Sequence, residues 1–140
     1  MKVFLDANVL IAVLNKEYPV FSHAARVLSL DERADFTLVT SSLCLAIAYY
    51  FSEKKSGATV ARSKIALLAS RVEIAGTDGD TVAQAVGDKR VQDFEDGLEY
   101  YAALQAGCEV IVTEDRDGFY FSAMPVVNCA DFLERYVFSR

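Results

Sequence analysis

Apolar residues in this chain fall into two kinds of run. Short runs rich in Val, Phe and Ile, bounded by polar residues, predict buried strands: "KVFL" at residues 2–5, "FTLV", "VIV" within "CEVIVTED", and "PVV" within "MPVVN". "VEIAG" is a weaker candidate of the same kind. Longer stretches place apolar residues at helical spacing. "NVLIAVLN" is one; "VFSHAARVLSLDERA", with Phe21, Ala24 or Ala25 and Leu28 on one face, is another. "LCLAIAYYFSEKK" follows Thr40, Ser41 and Ser42, any of which can cap it, and Gly57 closes it. "ATVARSKIALLASR", "GDTVAQAVGD", "DFEDGLEYYAALQAG" (stopped by Gly107) and "CADFLERYVF" complete the set. In the helix of Asp93 and Asp96, Phe94, Leu98 and Tyr101 or Ala102 are expected on the apolar face.

Strands alternating with helices imply a mostly parallel sheet with helices on both faces, hence an α/β architecture. Ligands in such sheets sit outside the carboxyl ends of the strands. That rule gathers residues far apart in the chain. Asp6 follows the first strand, Thr40 to Ser42 follow the second, and Thr113, Glu114 and Asp115 follow "CEVIV".

The 140 residues suit one domain, and 53% apolar with 24% charged residues is a globular composition. No apolar run reaches the roughly 18 residues of a membrane span, and "MKVFLD" leads straight into a strand with no signal-peptide pattern. Cys44, Cys108 and Cys129 form no CxxC pair and read as reduced core thiols of a cytoplasmic protein. The net charge of −6 argues against broad electrostatic capture of nucleic acid, but it leaves room for a local basic groove and for carboxylates kept for a cation.

A carboxylate at the end of a buried strand needs a partner. Asp6 could simply cap the helix that follows, and Asp117-Gly118 reads as an ordinary turn. Asp93 and Asp96, three residues apart, share a helix face near an N-terminus, where the helix dipole favours anions. Taken together, Asp6, Asp96 and Asp115 say more. Two carboxylates 5–6 Å apart repel by about 3 kcal/mol at an effective dielectric of about 20. Such repulsion is relieved by a proton or by a divalent cation, and oxygen ligands suit Mg2+ or Mn2+ better than zinc.

The order "FLDANVLI", "TSSLCLAIAYY", "DFEDGLEYYAALQAG", "VIVTEDRDGF" resembles a PIN domain, and most of all the small bacterial VapC-like group, over nearly the whole chain. The resemblance implies a three-layer α/β/α sandwich and metal-dependent cleavage of RNA, with the protein acting as the toxin of a toxin–antitoxin pair. It assigns Asp6, Asp96 and Asp115 to catalysis and metal binding, with Mg2+ or Mn2+ as cofactor. Asn8 and Thr113 match polar residues that support such sites, and Asp93 and Glu95 stand beside the second of these acids. Family members commonly carry a Glu on the helix after the second strand. Here that position is Ile47, with no acid before Glu53, as in a branch of bacterial PIN proteins that shares the lack.

The mechanism these residues suggest is phosphodiester hydrolysis, with Asp115 or Asp93 orienting the attacking water. The single histidine, His23, is read as a surface or packed residue. Lys54, Lys55, Arg62, Lys64, Lys89 and Arg90 are the candidates for holding the RNA backbone, and Tyr49, Tyr50, Tyr100 and Tyr101 for stacking on bases. Apolar faces of "SHAARVL" and "CLAIAYYF" are the surfaces for a homodimer or an antitoxin segment. Two other readings compete. One is a PIN-like binding module without activity. The other is a haloacid-dehalogenase-like phosphatase, which requires an Asp where Asn8 stands.

Overall fold

The computed structural model describes residues 1–139. Five strands, β1 (Lys2–Leu5), β2 (Thr37–Ser41), β3 (Glu73–Ala75), β4 (Val110–Val112) and β5 (Val126–Val127), form one sheet in the order β3-β2-β1-β4-β5, every neighbouring pair parallel. Val3, Phe4 and Leu5 of β1 and Val110, Ile111 and Val112 of β4 are wholly buried. A strand covered on both faces has no polar side to show, which is why these segments read as continuous apolar runs.

Seven α-helices among the described residues accompany the sheet: α1 (Ala7–Leu14), α2 (Val20–Leu28), α3 (Ser42–Ser56), α4 (Ala58–Ala69), α5 (Gly79–Gly87), α6 (Phe94–Gln105) and α7 (Cys129–Phe132). The chain steps from β1 to β2 to β3 in one direction, then crosses back to β4 on the far side of β1. Right-handed crossovers therefore put α1–α4 on one face and α5–α6 on the other. The packing agrees: α1 meets α2 and α3, α3 meets α4 and α2 meets α7, while α5 packs on α6 and α6 on β2. The expected three-layer α/β/α sandwich is the observed fold.

Caps fall where the hydroxyl and glycine residues predicted. The Ser41 side chain accepts from the Cys44 N–H at 3.1 Å and starts α3; Gly57 (φ 85°) ends it. Three expectations change. The helix expected to run through "SLDERA" ends at Leu28 and tightens into a 3-10 turn at Ser29–Glu32, because Ser29 turns its hydroxyl back to the Arg26 carbonyl (2.6 Å) while Leu30 dips into the core. The last helix widens after Phe132 into a π-helical stretch, Leu133–Phe138. Phe94, expected on the apolar face of α6, is 49% exposed, and Leu98 is half-buried; Ala102 is buried as expected, and Tyr100 and Ala103 are buried with it.

Because β1 and β4 are neighbours reached by connections running in opposite directions, the crevice beyond their carboxyl ends is the switch point of the sheet. Asp6 immediately follows β1, and Thr113 to Asp115 immediately follow β4.

Candidate active site

The loops at that switch point are tied together by three side chains. Asp6 is the N-cap of α1 and is buried; its Oδ1 accepts from the Ala7 N–H at 2.6 Å and its Oδ2 from the Thr113 hydroxyl at 2.7 Å. Asn8 Nδ2 donates to Thr113 Oγ1 at 3.0 Å and more weakly to Asp6 Oδ2 at 3.4 Å, while its Oδ1 accepts from the Glu114 N–H. The Asp115 N–H donates to Thr113 Oγ1 at 3.1 Å. Asn8 and Thr113 thus hold the first and last acids in register. Glu114 points elsewhere, accepting from the Cys129 N–H at the start of α7.

Helix α6 begins at the same rim. Asp93 is its N-cap, accepting from the Asp96 N–H at 3.2 Å, and Glu95 and Asp96 occupy the first turn, where the helix dipole favours negative charge. A cleft of about 230 Å³ is lined by six carboxylates, those of Asp6, Asp93, Glu95, Asp96, Glu99 and Asp115. Ala7, Asn8, Ile11 and Ile47 complete its wall. The five acids named from the sequence therefore share one cavity. Among the described residues, no Lys or Arg makes an ion pair with any of the six.

Glu99 went unnamed in the sequence reading. It is 1% exposed, and its Oε1 accepts from the Cys44 thiol at 2.8 Å. One carboxylate oxygen of Asp6, one of Glu99 and the Cys44 sulfur lie within 4.8 Å of one another. The signal was present: Asp93, Asp96 and Glu99 continue one three-residue progression along α6. Glu53, the next acid along α3 from Ile47, is exposed and bonded to Tyr49, away from the cleft.

Burial and the crowding of like charges shift three of these carboxyls. Burial first, then the charges of Asp93, Asp6, Asp115 and Glu95, raise the Asp96 carboxyl to about 7. Burial, then the hydrogen bond to Asp6 and that carboxylate's charge, push Glu99 up to about 11. Glu95 is also raised, chiefly by burial. The Cys44 thiol is pushed well up by burial and by Glu99 and Asp6, and it donates to Glu99. The carboxylates form an oxygen donor set with excess negative charge and no basic partner, which suits a hard divalent cation. The residues present fit such a cation.

A pH dependence follows for the metal-free chain. Asp96 and Glu99 are raised above their unfolded values, so their stabilising contribution is complete below about pH 4 and is lost as pH climbs toward 7 and beyond. Asp78 and Asp88, held low by hydrogen bonds from Thr81 and from Arg90 respectively, have the opposite sign, but their change is over below about pH 4. In EDTA, Tm is expected to fall between pH 5 and pH 8, by roughly 5 °C or more, and saturating Mn2+ should flatten that slope. A metal-free Tm that stays level or rises across that interval contradicts the charge crowding.

The basic candidates are placed differently. None of the six lines the acidic cleft. Lys55 and Lys64 donate to the carbonyls of Asn15 and Leu14, closing the C-terminus of α1. Lys54 lies over the Tyr50 ring, 5.0 Å from its centroid, and Arg62 is exposed on α4. Arg90 grips Asp88 through two N–H donors at 3.0 and 2.9 Å, Tyr101 adds a hydroxyl to the same carboxylate, and Lys89 is exposed beside them. Tyr100 is buried, Tyr49 and Tyr101 are half-buried, and Tyr50 is exposed. His23 is exposed on α2, and Cys44, Cys108 and Cys129 are buried free thiols.

The PIN domain family model matches residues 2–117. The chain is a PIN-domain protein. Ribonuclease VapC1 of Aquifex aeolicus (strain VF5) is 29% identical over 139 residues, covering 96% of this chain and 95% of that protein. Among solved structures, the PIN domain here superimposes on VapBC-1 from nontypeable Haemophilus influenzae with a TM-score of 0.70 at 17% identity, covering 93% of this chain and 99% of that one. VapC20 of Mycobacterium tuberculosis, a sarcin-ricin-loop-cleaving toxin, gives a TM-score of 0.67 at 19% identity, covering 84% and 92%. These likenesses show a shared fold. A haloacid-dehalogenase-like phosphatase is not favoured: the family match is to PIN, and the residue where that chemistry wants a second Asp is Asn8, committed to clamping two loops. No helix among the described residues is long and apolar enough to cross a membrane.

Proposed function

We propose that this PIN-domain protein is a Mg2+- or Mn2+-dependent endoribonuclease and the toxin of a toxin–antitoxin pair. One observation carries the reading: carboxylates from three separate chain segments meet at the switch point of the sheet with no basic residue to neutralise them. The family match and the similarity to Ribonuclease VapC1 support the same activity.

In this reading Asp6, Asp96 and Asp115 hold the cation, and Asn8 and Thr113 fix the orientation of Asp6. When bound, the cation supplies Lewis acidity to the scissile phosphate and makes a bound water more acidic. Without that positive charge, the six acids would repel a phosphodiester. Asp115 is exposed and lines the cleft, and in this reading its carboxylate orients the attacking water. Asp93 already accepts the Asp96 N–H, and its free oxygen can add a water bridge. Lys89, Lys54 and Arg62 are exposed to meet the RNA backbone at a distance from the cleft. Exposed Tyr50 and Phe51 on α3 and Val60 and Leu67 on α4 offer an apolar face to an antitoxin segment or a second copy of the chain.

The test is RNA cleavage by the purified protein in Mn2+. Activity is expected to vanish in EDTA, to return with added Mn2+, and to be absent from Asp96→Asn. Cleavage that persists in EDTA, or in that variant, overturns the reading; tight Mn2+ binding without cleavage of any RNA points to a binding module instead.

A further inference from the structure

We infer that Glu99, on α6, is the fourth carboxylate of the cation site and takes the place of the acid that α3 lacks at Ile47. The inference rests on the reading of the cleft as a cation site. Ile47 and Glu99 line the same cleft, one from each side of the sheet's rim. Position 47 contributes a hydrocarbon wall, and the carboxylate that reaches the cavity comes from the opposing helix.

Three features separate Glu99 from a carboxyl that is merely structural. It is almost wholly buried, a place where Glu is rare unless paired. Its near neighbour is not a Lys or Arg but the carboxyl group of Asp6, so no basic side chain neutralises it. Its orientation is also held: the Cys44 thiol donates to Oε1 at 2.8 Å. Cys44 lies one helical turn before Ile47 on α3. Helix α3 therefore still serves the site, by supplying the donor that steers an acid from α6 instead of supplying the acid. On α6 itself, Glu99 lies one turn beyond Asp96 on the same face, so Asp96 stands nearer the mouth and Glu99 at the buried end.

Mn2+ binding to the full chain, measured by calorimetry at fixed pH, tests the substitution. Glu99→Gln keeps the size and the Cys44 contact, and is expected to weaken Mn2+ binding at least about tenfold. Adding Ile47→Glu to Glu99→Gln returns a carboxylate from the α3 side and is expected to recover most of that loss, whereas Ile47→Gln in the same background recovers none. Glu99→Gln binding within twofold of wild type overturns the inference, as does a folded Glu99→Gln/Ile47→Glu chain that binds no better than Glu99→Gln. If the double variant gives no cooperative melt, Glu99→Asp decides: affinity between wild type and Glu99→Gln supports the assignment, and affinity equal to either one overturns it. Asp6→Asn and Asp96→Asn run alongside. If they lose Mn2+ while Glu99→Gln keeps it, only the role of Glu99 falls; if none of the three loses Mn2+, the cation site itself falls.

Discussion

Asp6→Asn is expected to lower Mn2+-dependent RNA cleavage by about 100-fold or more, since a cation contributes several kcal/mol to such a reaction and each 1.36 kcal/mol is a factor of ten. The fold should survive. Asn caps helices as well as Asp does, and its Oδ1 can still accept from the Ala7 N–H now bonded at 2.6 Å. The loss falls on Oδ2, where an amide nitrogen would face the Thr113 hydroxyl. That hydroxyl already accepts from Asn8 and from the Asp115 N–H, so it cannot readily reverse. A hydrogen bond lost this way costs about 1 kcal/mol. Removing one charge from a cavity shared with Asp96 and Glu99 offsets part of it. Tm within a few degrees of wild type, together with absent cleavage, is the expected pair of results. Wild-type cleavage by a well-folded Asp6→Asn chain rejects Asp6 as a metal-holding residue.

Gly118→Ala should damage the same site without touching an acid. Gly118 belongs to the 3-10 turn Arg116–Phe119, which presses against α6; a Cβ built there would lie 2.2 Å from Asp96 Oδ2 and 3.1 Å from its Cγ. One partner must move. The turn is pinned by Phe119, which is buried at 2% exposure, so the short Asp96 side chain is the one that yields. A displacement of roughly 1 Å in a positioned group can reduce turnover about 100-fold. The expected outcome is a 10- to 100-fold fall in cleavage and weaker Mn2+ binding, with Tm nearly unchanged because only a carboxylate has swung aside. Unaltered cleavage in Gly118→Ala shows that Asp96 need not stand where it does.

These two residues were not equally legible. Asp6 stands out in sequence because it ends an apolar run, and the rule for parallel sheets puts it at the rim with Asp115. Gly118 reads as half of an Asp-Gly turn, which it is; that its missing side chain makes room for an acid from α6 depends on two segments meeting. Glu99 is the sharper case: its three-residue spacing from Asp96 hints at a shared face, but not at burial against Asp6. A helical face can be read from periodicity when one side is wet and the other dry, but α6 buries Gly97, Glu99, Tyr100, Ala102 and Ala103, which do not fall on a single stripe. The basic residues mislead for a related reason. Lys55 and Lys64 look free in sequence, yet the end of α1 lies within their reach and takes their ammonium groups.

The amino-acid sequence by itself determined the alternation of strand and helix, the caps, the α/β class and the three acids that follow β1, open α6 and follow β4. All of these depend on local patterning and on one topological rule, which act over a few residues or on the order of elements. Tertiary structure alone decided that Phe94 faces water, that Glu99 faces Asp6 under a thiol from α3, and that Gly118 abuts Asp96. Those are distances between segments remote in the chain, set by how the helices dock on the sheet, and no periodicity within one segment encodes them.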